Sequence, residues 1–347
     1  MQLSFTQSYA PSVTDVKIGR DFFKDPAVHN TISALSSHVV LIVDDALKAH
    51  VAPLVQAVNP VVIPVQAGEG CKTRGMKEDI EDLLLERGLA SDCAIVACGG
   101  GTLLDLAGFV AATFCRGVPL AFFPSTLLAM VDAGVGGKNG INARGRKNCI
   151  GTIYHPRHIF VDLQLLDSLP AVEVENGCVE LLKMALVGLM PFYDDPRASI
   201  GEAIAAKMAI VQKSASEPRV RDVLNFGHTF GHAYETLEEF EVPHGRAVAL
   251  GMLAESYIAM KMNVLSESAF TCVQKRIVDV CPVHMNRTHS VEQWMKALES
   301  DKKNRGGNIH MVLLSAENQA FAQHSIAVDS GYILSAIEWL QTRFLHT

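Results

Sequence analysis

Residues Ala94–Asp105 read AIVACGGGTLLD. A short apolar run feeds Gly99, Gly100 and Gly101, and helical apolar spacing follows from Leu103 to Thr113. A strand that turns over glycines directly into a helix is the opening of a βαβ unit. The flanks repeat the pattern. His38–Val43 (HVVLIV) is a compact apolar run ending at Asp44–Asp45, and Pro60–Val65 (PVVIPV) is another. Met76–Arg87 (MKEDIEDLLLER) has helical spacing and stops at Gly88. Val118–Phe123 (VPLAFF) and Ile159–Val161 read as further buried strands. Strand and helix alternating at this spacing predict an α/β domain with a mainly parallel sheet.

From about Glu173 the period changes. Val179–Leu186, Ala203–Lys213, His228–Leu237 and Ala247–Met262 carry apolar residues at helical spacing, and only Ile309–Leu314 reads as a strand. The expected division is an α/β domain over 1–165 and a mostly helical domain over 166–347. The boundary falls near Asp167–Pro170.

Composition narrows the function classes. The chain has 347 residues, 49% of them apolar, with 30 Lys+Arg against 37 Asp+Glu. A net charge of −7 gives no basic surplus for nucleic acid or an anionic membrane, so neither partner is expected. The eight cysteines form no C-x-x-C pair, which predicts free thiols in a reducing compartment. No charged start followed by an apolar run marks a leader, and no apolar stretch reaches the ~18 residues of a membrane span. The expected location is cytoplasmic.

Three stretches carry chemistry. In the glycine turn, backbone can approach a phosphate closely and a helix N-terminus offers free N–H groups. A tight βα turn with no ligand fits the same residues, since G-x-G-x-x-G is not met. Asp44, at a strand end, is a candidate acceptor for a ribose hydroxyl, or an ordinary loop acid. In LNFGHTFGHAYE (224–235), His228 and His232 stand four apart on one helix face. His244 follows in Val-Pro-His-Gly, and Glu180 and Lys183 share a face of an earlier helix. Two imidazoles and a carboxylate with an open position make a catalytic zinc set. Spacing leaves open which two of the three histidines would bind. The third stretch, Val131–Asn142 followed by Arg144–Asn148, is rich in Gly, Asn and cations. It reads as a solvated turn or as a loop that closes on a polyanionic substrate.

Taken together and in order, GGGTLLDLAGFVAATFCRG, PSTLLAMVDAGVGGKNGIN, GRKNCIG, NGCVELLK, LNFGHTFGHAYE, VPHGRAVALGM and DKKNRGG resemble the motifs of 3-dehydroquinate synthases. The resemblance runs from about Asp44 to Leu314. It implies a nucleotide-binding α/β domain followed by a mostly helical one, NAD and a divalent metal (zinc foremost, cobalt as an alternative) as cofactors, a sugar phosphate substrate, and a homodimer. The reaction implied is conversion of 3-deoxy-arabino-heptulosonate 7-phosphate to 3-dehydroquinate and phosphate.

Carried over position by position, the resemblance puts the metal on Glu180, His228 and His244, with His232 facing substrate. Catalytic roles fall on Lys138, Lys183, Lys207, Arg221, Asn225 and His232. Substrate contacts fall on Arg116, Asp132, Asn148 and the Lys302–Lys303 pair, and NAD contacts on Asp44, Glu69, Lys72, Gly100, Gly101, Asp105, Ser125, Thr126 and Lys147. Some positions depart from the family pattern: Leu104, Met130, Ala133, Gly134, Asn139 and Arg246. They keep open a sister cyclase making an inosose or a valiolone. An NAD- and zinc-dependent polyol dehydrogenase and a non-catalytic scaffold subunit are further alternatives.

Overall fold

The computed structural model describes residues 14–66, 68–144, 146–214, 216–299, 308–317, 319–320 and 325–345. They divide into two units, Met1–Ser125 with Gly136–Asp167, and Thr126–Val135 with Ser168–Thr347.

The first unit is built on a six-stranded parallel sheet. Its strands are β1 (Asp15–Gly19), β2 (His38–Asp44), β3 (Val61–Val65), β4 (Cys93–Gly99), β5 (Leu120–Pro124) and, after a hairpin of β6 (Lys138–Ala143) and β7 (Arg146–Ile153), β8 (His158–Asp162). The sheet order is β1-β8-β5-β4-β2-β3. Every residue of β4 is buried, so both its faces are covered. That is why the strands read as unbroken apolar runs and not as alternation. Helices α1 (Pro26–Ser33), α2 (Lys48–Val58), α3 (Arg74–Glu86) and α4 (Gly101–Thr113) intervene. The chain leaves β2 towards β3 on one side and resumes at β4 on the other. The carboxyl ends of β2 and β4 therefore flank the point where the winding reverses, the usual ligand crevice of such sheets. Asp44 ends β2, and Gly99–Gly101 link β4 to α4.

Two features of the first 165 residues were not foreseen. Asp15–Gly19 is a strand, pairing with β8 at the sheet edge. The glycine- and asparagine-rich stretch 131–148 is no single loop. It begins as a π-helical turn, Ala129–Ala133, and ends as the antiparallel β6–β7 hairpin. Asn139, Gly140 and Ile141 are buried in it.

The second unit is helical: α5 (Ala171–Leu186), α6 (Pro196–Lys213), α7 (His228–Leu237), α8 (His244–Lys261), α9 (Glu267–Val280), α10 (Val291–Glu299) and α11 (Ser330–Phe344). Helix α8 is buried at Gly245 and from Ala247 to Ala259, and α5, α7, α9 and α11 pack around it. An apolar circumference of this kind marks a central helix. The strand expected at Ile309–Leu314 reduces to two short pieces, His310–Met311 and Leu314–Ala316, in separate two-stranded ladders. Residues Thr126–Val135 group with this unit, although they lie inside the stretch 1–165 expected to form one domain. The π-turn packs on α5 and α6, and Lys207 of α6 holds Asp132.

Among the described residues no helix is long and apolar enough to cross a membrane. All eight cysteines are free.

Candidate active site and metal centre

Helices α5, α7 and α8 bring Glu180, His228 and His244 together. One ligand atom from each lies within 4.8 Å of the others. Glu180 is fully buried. Its Oε2 pairs with Lys183 Nζ, one helical turn on. Its Oε1 is buried with no hydrogen-bond partner and lies 3.5 Å from His228 Nε2 and 3.8 Å from His244 Nε2. Leaving a buried carboxylate oxygen without a donor costs about 1–3 kcal/mol or more. A cation between the three groups removes that cost.

The other ring nitrogens of the two histidines are already engaged. His244 Nδ1 lies 3.3 Å from Glu235 Oε1, and His228 Nδ1 lies 3.2 Å from the Phe226 carbonyl. With the proton on Nδ1 in each ring, each Nε2 presents a lone pair towards Glu180 Oε1, and the acceptors behind the rings fix their orientation. The donor set of one oxygen and two nitrogens suits zinc or another divalent ion. His232, exposed on α7, has its ring centroid 5.2 Å from that of His228 and 6.3 Å from that of His244. It borders the cluster from the solvent side.

Other expected site residues of this unit have defined settings. Lys207 Nζ is 2.5 Å from Asp132 Oδ1. Arg221 Nε donates to Ser214 Oγ at 2.6 Å, and partial burial lowers the pKa of its guanidinium. Arg221 and Asn225 share the 3-10 stretch Pro218–Asn225, which leads through Phe226 and Gly227 into α7. Thr126 Oγ1 accepts the Ala129 N–H at 3.1 Å and starts the π-turn. Lys302 and Lys303 lie outside the described residues.

In the first unit the expected cofactor residues fall into two groups. Asp44 stands at the end of β2, its Oδ1 accepting from Ala46 N–H at 3.1 Å, while Gly100 is the N-cap of α4 with no side-chain cap of its own. An uncapped helix N-terminus beside an acid at the switch point suits a dinucleotide. Ser125, buried at the end of β5, donates its N–H to Gly99 O at 2.9 Å.

The second group is a network. Lys72 Nζ is 2.6 Å from Asp105 Oδ2 and 2.5 Å from Asn148 Oδ1. Asn148 N–H donates to Asn142 Oδ1 at 2.9 Å, and Asn142 Nδ2 donates to Glu69 Oε1 at 2.5 Å. Glu69, Lys72, Asp105 and Asn148, dispersed along the chain, thus meet on one side of the β6–β7 hairpin. Lys138 is exposed at the start of β6, and Lys147 is half-buried on β7. Arg116 is exposed in a turn where Cys115, Arg116 and Gly117 all take positive φ, of 49°, 67° and 116°. Such conformations persist only where the surroundings enforce them.

Two supporting groups escaped the sequence reading, Glu235 behind His244 and Asn142 in the lysine network, and a third, Asn139, was read there only as a departure from the family pattern. Asn139 Nδ2 donates to Gly137 O at 2.9 Å and Tyr154 O at 2.8 Å and pins the turn that presents Lys138. Glu235 carries a usable signal, since it lies seven residues beyond His228 and so faces the same side of the helix.

Comparisons with known proteins identify the family. Residues 62–176 match the family described as 3-dehydroquinate synthase N-terminal, and residues 177–304 match 3-dehydroquinate synthase C-terminal. The chain is 36% identical to 3-dehydroquinate synthase of Corynebacterium jeikeium, over 72% of either chain. It is 32% identical to the Pentafunctional AROM polypeptide of Scheffersomyces stipitis over 86% of its own length, and spans only 22% of that polypeptide. Among solved structures it is similar to a 2-deoxy-scyllo-inosose synthase complexed with carbaglucose-6-phosphate, NAD+ and Co2+. There the TM-score is 0.83 and the identity 25%, over 93% of this chain and 95% of that one.

Proposed function

This chain belongs to the 3-dehydroquinate synthase family, and on that premise we propose that it converts 3-deoxy-arabino-heptulosonate 7-phosphate to 3-dehydroquinate and phosphate, with NAD and zinc as resident cofactors. The observation that carries the proposal is Glu180 Oε1, buried without a donor between two imidazole nitrogens whose partners across each ring are already satisfied.

The reaction is redox-neutral overall: phosphate is eliminated, and the opened chain closes by an intramolecular aldol addition. When bound, NAD would supply a reversible hydride acceptor and the metal a charge that lowers the pKa of a substrate alcohol. Glu180, His228 and His244 would hold the ion, and Lys183 pairs with Glu180 Oε2 and orients its carboxylate. Lys138, Arg116, Asn148 and His232 would stabilise the departing phosphate as its charge grows. The phosphate can itself take the adjacent C–H proton, which reduces the need for a protein base. Lys183, Lys207, Arg221 and Asn225 would hold the carboxylate and ring hydroxyls, with Asp132 and the Lys302–Lys303 pair completing the contacts. Asp44, Gly100, Gly101, Ser125, Thr126 and Lys147, with the Glu69–Lys72–Asp105 network, would bind the dinucleotide. Local concentration of cations lets a net-acidic chain bind a substrate with about three negative charges.

A second reading, a sister cyclase of the inosose type, is favoured by the solved structure above and by the departures at Asn139 and Arg246. Identity of 36% with a dehydroquinate synthase against 25% with the inosose synthase weighs for the first.

The deciding experiment measures phosphate release from the heptulosonate phosphate with and without NAD and zinc, while following NADH absorbance. The expected result is release that needs both cofactors with no net NADH. Stoichiometric NADH would instead make the chain a polyol dehydrogenase. Release from glucose 6-phosphate alone would make it the sister cyclase.

A further inference from the structure

Glu255 lies in the middle of α8, fully buried, on a helix whose neighbours are nearly all apolar. Its two oxygens take separate backbone donors. Oε2 accepts the Gly227 N–H at 2.7 Å, and Oε1 accepts the Thr229 N–H at 3.2 Å. These residues flank His228 on either side. Helix α7 has no side-chain cap of its own, because its N-cap is Gly227 at φ 79°. The carboxylate that satisfies its first turn comes from another helix.

The geometry goes further than capping. The Gly227 N–H and the Phe226 carbonyl belong to one peptide unit. That carbonyl receives His228 Nδ1 at 3.2 Å, and His228 Nε2 faces Glu180 Oε1 at 3.5 Å. A single line of contacts thus runs from Glu255 through one peptide and one imidazole to the metal ligands. The turn around this peptide is close-packed: a Cβ on Gly227 would lie 2.4 Å from Met252 Cγ, and the carbonyl of the following peptide, Gly227 O, would lie 1.8 Å from a Cβ on Gly251. The peptide that Glu255 holds by its N–H is the one whose carbonyl meets the ring of His228.

We propose that Glu255 is a positioning residue for the metal site, its buried carboxylate fixing and polarising the Phe226–Gly227 peptide that orients His228. This rests on the metal reading given above. An anionic acceptor on the N–H makes the carbonyl of the same peptide a stronger acceptor. The stronger carbonyl draws on Nδ1–H and raises the donor strength of Nε2. Helix capping alone would need no charge, since a serine or asparagine at the N-cap serves it. A fully buried carboxylate is expensive to desolvate, and here it spans the ligand-bearing turn.

The test uses metal-free full chain, titrated with Co2+ for its visible absorption and with Zn2+ against a competing chelator. Glu255→Gln keeps the size but removes the charge and faces one backbone N–H with an amide. Zinc affinity is expected to fall about tenfold to a hundredfold, the usual effect of losing a group that orients a ligand. The Co2+ spectrum is expected to shift. A variant that loses thermal stability but keeps zinc affinity within about twofold, with an unchanged Co2+ spectrum, overturns the proposal, because a structural cap would behave that way. Should the Gln variant not fold, Glu255→Asp keeps the charge but is one methylene short of spanning both donors. It is expected to shift the Co2+ spectrum as well, and a wild-type spectrum there overturns the proposal. A wild-type chain that binds neither ion takes down the functional reading with it. Wild-type binding with indifferent variants takes down this inference alone.

Discussion

Lys207 Nζ sits 2.5 Å from both the side-chain Oδ1 and the main-chain oxygen of Asp132. One ammonium from α6 thereby fixes a π-turn that precedes it by some 75 residues. With side-chain exposures of 12% and 29% the pair is shielded enough to matter. Lys207→Met is expected to lower the unfolding free energy by about 1–2 kcal/mol, below the full worth of a buried charged hydrogen bond because the pair is partly solvated. Asp132→Asn is expected to cost a similar amount. The double variant should lose less than the sum in urea unfolding, and strictly additive losses would show that the two do not interact.

Loss of a metal ligand is expected to uncouple metal from fold. His228→Ala should reduce bound zinc from stoichiometric to a small fraction, measured by elemental analysis after gel filtration. Far-UV circular dichroism should stay unchanged, since His228 stands at the first turn of α7 and the core around α8 does not depend on its ring. Retained stoichiometric zinc would mean that the metal sits elsewhere.

Lys138 is the proposed anchor of the leaving phosphate, so its contribution should grow as the transition state forms. Lys138→Met is expected to lower kcat and kcat/KM together by about ten- to a hundredfold, the worth of a charge-assisted hydrogen bond. A rise in KM at unchanged kcat would reduce Lys138 to uniform binding. Unchanged kinetics would make it a solvated charge on an exposed strand end.

Gly108 of α4 has no space for a methyl group, because a Cβ there would lie 1.9 Å from Asn139 Oδ1. Asn139 cannot yield freely, being held by two carbonyls. Gly108→Ala is therefore expected to destabilise by about 1–3 kcal/mol, as overpacked sites do. Adding Asn139→Ser should restore part of the loss. If the single change leaves the thermal midpoint where it was, or the second brings nothing back, the packing argument fails.

Two thiols predict an alkaline weakness. Burial, with Cys115 and Asp92 adding to it, pushes Cys93 up to about 11, while burial and then Glu175 push Cys281 up to about 12. Both keep their protons in the folded chain at pH values where the unfolded chain has lost them. The unfolded state then binds fewer protons, so stability falls as pH rises. The contribution is complete below the ordinary thiol value of 9.0 and drains away between there and the folded values. Urea midpoints should be flat from pH 7 to 8 and lower at pH 10, and Cys93→Ala should soften that fall. A midpoint that rises between pH 8 and 10 would contradict the assignment.

How much was present in the sequence depends on how local each feature is. The strand–glycine–helix turn at Ala94–Asp105, the buried strands His38–Asp44 and Leu120–Pro124, and helices α5 to α8 were readable because periodicity and turn chemistry act over a few residues. So were Glu180 with Lys183, and His228 with His232, as pairs on one helical face. Strand β1 and the β6–β7 hairpin were not. Their pairing energy comes from partners elsewhere, and an exposed five-residue strand or a glycine-rich hairpin has no strong pattern of its own. The ligand set is the clearest case. Spacing gave three histidines equal standing, and the family motifs singled out His228 and His244. Only the packing of α5 and α7 against α8 puts Glu180 Oε1 between their two Nε2 atoms and leaves His232 at the rim. Glu235, Glu255 and Asn142 act only through residues brought to them by the fold. The sequence by itself determined which segments become strands and helices and which side chains share a helical face. Tertiary structure decided which of those side chains meet, because a carboxylate and an imidazole on different helices face each other only once burial of the apolar surfaces between those helices has set their crossing.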